Sequence, residues 1–231
     1  MTETTRSRRE RPAKPALSRE WIISQTIEIV RTEGLEKATM RRVAQALDTG
    51  PASLYVYVAN TAELRAAVLD ELLGSLLADA DGPWMTRLQT VLHDYGEVLL
   101  AYPGLARSAL TLRPTGPNTI ALFDRVLGLL LEGGIPADRA SWGADILIQH
   151  ITASAAEHGM PSPGDVDSPV DREAEFGALA HAVRSADPDA TPHVAAHADA
   201  ILGGTPGARQ AWAVSALVAG IAATPIPPAA D

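Results

Sequence analysis

Thr39 to Val58 reads TMRRVAQALDTGPASLYVYV, and its first half fits one geometry only. Met40, Val43, Ala44 and Leu47 occupy the i, i+3, i+4 and i+7 positions of an amphipathic helix without a miss. Thr39 can cap that helix, because its hydroxyl can accept from a first-turn amide. Asp48-Thr49-Gly50 is turn chemistry, and Pro51 suits the first position of a following helix. The spacing predicts two short helices joined by a turn of three or four residues. The second, Pro51 to Val58, holds two valines, two tyrosines and a proline in eight residues. These are poor helix formers, so it needs tertiary support. Leu54 and Val58, four apart, supply it by packing inward, which leaves Ser53, Tyr55 and Tyr57 to face out.

The same helical pattern runs along the chain. Ser18 is a candidate N-cap for a helix with the apolar stripe Ile22, Ile23, Ile27 and Val30, which stops at Gly34. Asn60 and Glu63 form a capping box ahead of a helix that runs to about Asp79. Further helices are predicted over 84–102, to about Leu112, over 118–132, 136–157 and 172–186, and over 207–223. Residues 159–171 read as a long Pro/Gly/Asp loop, and 187–206 as a stretch broken by Pro188, Pro192 and Pro206. No hairpin signal occurs, so the expected fold is all-α with nine or ten helices. The expected organisation is a basic, disordered arm over 1–17, a three-helix helix-turn-helix domain over 18–63 and a larger helical domain over 64–231.

Charge separates the ends. The net charge is -9, yet residues 1–74 carry 11 Lys/Arg against 10 Asp/Glu, and residues 75–231 carry 8 against 18. The first 19 residues hold six bases and two acids. A basic head on an acidic body points to a polyanion at one end only. There is no cysteine, which removes disulfides and thiolate chemistry. The basic start lacks a signal-peptide core, and the longest apolar run, Ala211 to Ala223, is too short to span a bilayer. A cytoplasmic protein with no membrane association is expected. Neither a phosphate loop, nor G-x-S-x-G, nor a cysteine nucleophile is present, and His93-Asp94 diverge as neighbours on a helix. His193 and His197 share a helical spacing but lack the glutamate of a metalloprotease motif. No enzyme activity, metal or cofactor is expected. The competing class is an all-α carrier or enzyme with an incidental helix-turn-helix, and sequence-specific DNA binding discriminates the two.

Residues 18–74 resemble the DNA-binding domain of the TetR family of transcription regulators. The likeness lies in the helix ending EG, in TMRRVAQAL, in S-L-Y-x-Y-V and in the N-x-x-x-L start of the fourth helix. Ala109 to Ile135, ALTLRPTGPNTIALFDRVLGLLLEGGI, resembles the ligand domain of the tetracycline-repressor branch, its R-P-T included. The resemblance implies a ligand-responsive regulator, most often a repressor. It would bind a pseudo-palindromic operator in double-stranded DNA as a homodimer and be released by a small-molecule effector. It places Arg41 at a base-reading position and Thr39, Ser53, Tyr55 and Tyr57 at phosphate- or base-contacting ones. Pro51 and Ala52 would meet thymine methyl groups. Thr61 stands where a phosphate-binding lysine is usual, and Arg6, Arg8, Arg9, Arg11 and Lys14 could compensate as a DNA-contacting arm.

In the body, the helices near 136–157 and 207–223 are rich in Ala, Gly and aliphatic residues on more than one face, which calls for burial either within the subunit or against a partner. The resemblance makes them a four-helix bundle with their symmetry mates. The candidate ligand-binding polar groups are His93, Arg113, Asn118, Arg125, Gln149 and His150. The histidine that ligates magnesium in the tetracycline branch aligns with Ala109, and a drug-contacting histidine aligns with Leu77. An alanine offers a hard cation no lone pair, so a different, largely apolar effector is expected.

Overall fold

The computed structural model describes residues 16–77, 81–112, 114–159 and 172–228. Eleven α-helices and no strand occur among them. The head consists of α1 (Arg19–Glu33), α2 (Met40–Ala46) and α3 (Pro51–Leu54). The connecting helix is α4 (Thr61–Leu73). The body holds α5 (Trp84–Ala101), α6 (Leu105–Ala109), α7 (Pro117–Glu132), α8 (Ala137–His158), α9 (Arg172–Arg184), α10 (Pro192–Leu202) and α11 (Pro206–Ala223).

The helix ends form where short-range chemistry asks for them. Ser18 Oγ accepts from Trp21 N at 3.2 Å, and Thr39 Oγ1 accepts from Arg42 N at 3.2 Å. Asn60 Oδ1 accepts from Glu63 N at 2.9 Å. The Glu63 carboxylate reaches back to Ala59 N at 2.7 Å, one residue earlier than a standard capping box. Gly34 ends α1 at φ 85°, a conformation that favours glycine.

Two expectations change. The stretch 187–206 contains a helix, α10, because Pro192 lies at its first turn, where no amide donor is needed. That helix kinks at His197 (φ -121°, ψ 18°), so the even spacing of His193 and His197 along one face is lost. Both histidines are exposed. The predicted helix 51–58 is α-helical only to Leu54 and then tightens, with the amides of both Tyr57 and Val58 donating to the Leu54 carbonyl.

Two apolar cores result. The head core gathers Ile22, Ile29, Met40, Val43, Leu47, Leu54, Val58 and Leu64. The body core gathers Val68, Leu73, Leu88, Leu92, Leu99, Leu129, Leu147 and Ile151 among others. Helix α1 serves both, because Ile22 and Ile29 face the head while Ile23 and Val30 face the body. Helix α4 does the same, with Leu64 in the head core and Ala67 onward in the body core. The junction is therefore a pair of shared helices rather than a linker, and a displacement of α4 must move the head.

Helices α5, α7 and α8 form the centre of the body. Tyr95 on α5 is buried there with Thr152 on α8 at 2.8 Å. The Thr152 hydroxyl donates to the Ile148 carbonyl at 2.8 Å, so the Tyr95 hydroxyl is the donor between the two. Burial pushes the Tyr95 phenol up from its ordinary value.

Candidate nucleic-acid interface and helical body

The head presents one polar, protruding edge. Leu54 and Val58 are fully buried, as their spacing predicted, and this pins α3 to α2 and α4. Pro51, Ala52 and Ser53 are exposed, Tyr55 is 55% exposed and Val56 is 81% exposed. Arg41 is also exposed and has no ion-pair partner among the described residues. Its neighbour Arg42 forms a two-point ion pair with Glu33, with one contact at 3.1 Å. That pairing holds the Glu33 carboxylate below its ordinary range. The adjacent arginines thus divide: Arg42 braces α2 on α1, and Arg41 is available. Thr39 caps α2 by accepting, which leaves its own proton for a phosphate oxygen. Thr61 is half-buried at the first turn of α4.

Tyr57 differs from Tyr55. It is half-buried against the head core, and its hydroxyl donates to the Leu17 carbonyl at 2.7 Å. Val56, which sequence reasoning passed over, is the most exposed large apolar residue of the head. The inward spacing of Leu54 and Val58 already implied its outward direction. Arg6, Arg8, Arg9, Arg11 and Lys14 lie outside the described residues.

Of the six polar residues expected to bind a ligand, the five that are described do not share one face of the body. His93 is exposed on α5. Gln149 is exposed on α8 and donates to Asp145 one turn earlier. His150 faces a groove between α8 and α11. Asn118 and Arg125 are half-buried on α7, seven residues apart and hence on one face. The Asn118 carboxamide packs against Gly74 at the end of α4, where an added Cβ would stand 3.3 Å from Nδ2. Arg113 lies outside the described residues. No sequence pattern singled out Asp70, a buried carboxyl on α4. Its Oδ1 accepts from Thr119 N at 2.8 Å and from Thr119 Oγ1 at 2.7 Å, capping the first turn of α7. Gly116 makes room for it, since a Cβ there would fall 2.2 Å from the carboxyl.

The α8–α11 groove has a volume of about 680 Å³ and an almost wholly apolar lining that includes Trp142, Ile146, Trp212 and Leu217. Trp212 is 73% exposed and Trp142 is 54% exposed. Single exposed apolar residues are ordinary, but a continuous groove with two tryptophans is not.

A helix-turn-helix head rigidly shared with a larger helical body defines a DNA-binding regulator of the two-part type. The model of the family described as "Tetracyclin repressor-like, C-terminal domain" matches residues 78–205, more than half of the chain. The chain belongs to the TetR family of transcriptional regulators. A solved Streptomyces coelicolor chain, SCO7704, assigned as a transcription regulator, is 47% identical. The match covers 94% of this chain and all of that one, with a TM-score of 0.73. The TetR family protein ActR of Streptomyces coelicolor, solved in complex with actinorhodin, is 28% identical with a TM-score of 0.76. That match covers 90% of this chain and 96% of ActR. An HTH-type transcriptional regulator of Saccharopolyspora erythraea is 28% identical over 221 residues, 95% of this chain and 90% of the relative. These relatives are described as transcriptional regulators. Among the described residues no helix is long and apolar enough to cross a membrane.

Proposed function

We propose that this protein is a ligand-responsive repressor that binds a pseudo-palindromic operator as a cytoplasmic homodimer and is released by a largely apolar small molecule. The observation that carries the reading is the exposed edge of the head. Arg41 has no ion-pair partner among the described residues, and Pro51, Ala52 and Ser53 of α3 and the following Tyr55 and Val56 are all exposed. Arg41 donates twice to a guanine edge, and the small apolar groups meet thymine methyls. Thr39, Ser53 and Tyr55 donate to phosphates, with Thr61 at the α4 terminus near the same backbone. The bases of residues 6–14 add phosphate contacts in place of the lysine that the family usually carries after Asn60.

The α8–α11 groove supports the dimer, since two such faces pack as a four-helix bundle and remove Trp142 and Trp212 from water. A two-fold dimer sets its recognition helices about 34–36 Å apart, one turn of DNA. Asn118 and Arg125 on α7 supply polar groups of the effector site, to which the resemblance adds Arg113. ActR, solved with actinorhodin, supports a small-molecule effector other than a magnesium–tetracycline chelate, as does Ala109 at the metal-ligand position. The effector must prefer the state in which α4 holds the heads out of register; equal affinity for both states would shift nothing.

The test is binding to a duplex covering the DNA beside its own gene, measured at two salt concentrations. Sequence-specific binding is expected, and Arg41→Ala should cost about 1–3 kcal/mol, roughly five- to a hundredfold in Kd. A folded protein without sequence preference would leave the carrier or enzyme class standing.

A further inference from the structure

Helix α4 is held to the body in two physically different ways. Ala67, Val68, Leu69 and Leu73 pack into the body core, a contact that is apolar and non-directional. Asp70, on the same stretch of helix, makes directional bonds instead. Its Oδ1 accepts from the Thr119 amide at 2.8 Å and from the Thr119 hydroxyl at 2.7 Å. One turn further along α4, the Asn118 carboxamide lies against Gly74, where an added Cβ would stand 3.3 Å from Nδ2. Two consecutive residues in the first turn of α7 thus grip α4 at two points. Thr119 is the third residue of α7, the usual partner of an N-cap side chain. The N-cap is Gly116, which has no side chain, so the cap comes from α4.

We propose that Asp70 is a positioning residue for DNA binding: by capping α7 from α4 it fixes where α4 carries the head. The consequence for DNA rests on the operator-binding reading above. Leu64, in the head core, precedes Asp70 on α4 by six residues, about 9 Å along the axis at 1.5 Å per residue. No loop separates the two, so the position of α4 at Asp70 is passed to the head unbroken. Apolar surfaces tilt and slide over one another at small cost, whereas a hydrogen bond weakens steeply once its length and angle change. The carboxylate therefore selects one setting of α4 among those the apolar core would accept. A second directional link, from the Leu35 amide to the Pro103 carbonyl at 3.2 Å, ties the end of α1 to the body. Loss of the Asp70 bonds should therefore loosen the head rather than free it.

The test separates capping from positioning with three variants of the full chain: Asp70→Ala, Asp70→Asn, and Asp70→Ala combined with Gly116→Ser. Asparagine keeps an acceptor oxygen for Thr119. In the combined variant, a serine at the N-cap can bond the Thr119 amide from within its own helix, so the cap returns without the link to α4. Gly116 has φ -74° and ψ 167°, which suits a serine N-cap. The atoms nearest a Cβ there are those of the Asp70 carboxyl, which alanine removes. One readout is binding to a duplex covering the DNA beside its own gene, at several salt concentrations. Asp70→Ala and the combined variant should both bind roughly three- to tenfold more weakly, as when the competent setting is populated about 10–30% of the time. The salt slope should not change, because the phosphate contacts in the complex are the same. The other readout needs no DNA: the distance between spin labels at Gln45→Cys on α2 and Asp124→Cys on α7, with labelled chain diluted in unlabelled chain. Both positions are exposed and the chain has no cysteine of its own. The distance distribution should broaden in Asp70→Ala and in the combined variant, and Asp70→Asn should match the unsubstituted chain in both readouts. Melting by circular dichroism should fall in Asp70→Ala and recover in the combined variant. Recovery of affinity and of a narrow distribution together with the melt would make Asp70 a helix cap only and overturn the inference. Normal affinity and distance in Asp70→Ala would overturn it as well. An unsubstituted chain without sequence preference would sink the operator reading, while the label distances still decide whether Asp70 positions the head.

Discussion

Replacing Asp70 by alanine should loosen the joint between α4 and α7. The carboxyl is buried and receives both the amide and the hydroxyl of Thr119. The position that would normally supply a cap for α7 is Gly116, which has no side chain to offer. Loss of a helix cap costs about 0.5–2 kcal/mol, and a buried donor left unmet costs about 1–3 kcal/mol. The two overlap here, because the Thr119 amide is counted in both, so a loss of about 2 kcal/mol is expected. In a chain of this size that lowers the melting temperature by about 4–8 °C. Urea denaturation followed by circular dichroism, at one fixed protein concentration, measures it. A change below about 0.5 kcal/mol would refute the reasoning. Gly116→Ala gives a second handle. Its Cβ would stand 2.2 Å from the Asp70 carboxyl, so the substitution is costly alone. It should become much cheaper once Asp70 is alanine, with a coupling of at least about 1 kcal/mol. Strict additivity would mean that the two positions do not touch.

If the proposed dimer forms through the α8–α11 groove, Trp212→Glu, which places a charge at its exposed indole, should give a monomer in sedimentation where the unsubstituted chain gives a dimer; an unchanged mass would refute that face. Stability should fall as pH rises past about 10. The folded-state value of the Tyr95 phenol is raised by burial, so its contribution is complete below the unfolded value of 10.0 and is lost as pH climbs through the folded one. Tyr95→Phe should remove that part of the alkaline drop in a pH series of urea midpoints.

Much of the head was legible because its determinants are local. The stops at Gly34 and Asp48-Thr49-Gly50, the caps at Ser18, Thr39 and Asn60 and the i, i+4 pair Leu54 and Val58 act within a few residues, and each does in the fold what its spacing implied. Prolines misled over 187–206, since the same residue that breaks a helix interior opens a first turn. The ligand set was the least legible part. Polarity in an apolar helix marks candidates, but only helix rotation decides which of them face inward. His93 and Gln149 turned outward, while Asn118 and Arg125 share a face of α7.

The sequence by itself determined most of the helices and the helix-turn-helix, because caps, turns and 3.6-residue periodicity are encoded over short distances, and its motifs carried the resemblance to the family. Only the tertiary structure decided that Arg42 is held by Glu33 while Arg41 is available, and that Tyr57 bonds Leu17 while Tyr55 stays exposed. It also decided that Asp70 caps a helix 49 positions away. Each of those outcomes depends on which side chains arrive together once helices pack, and no spacing along the chain records that.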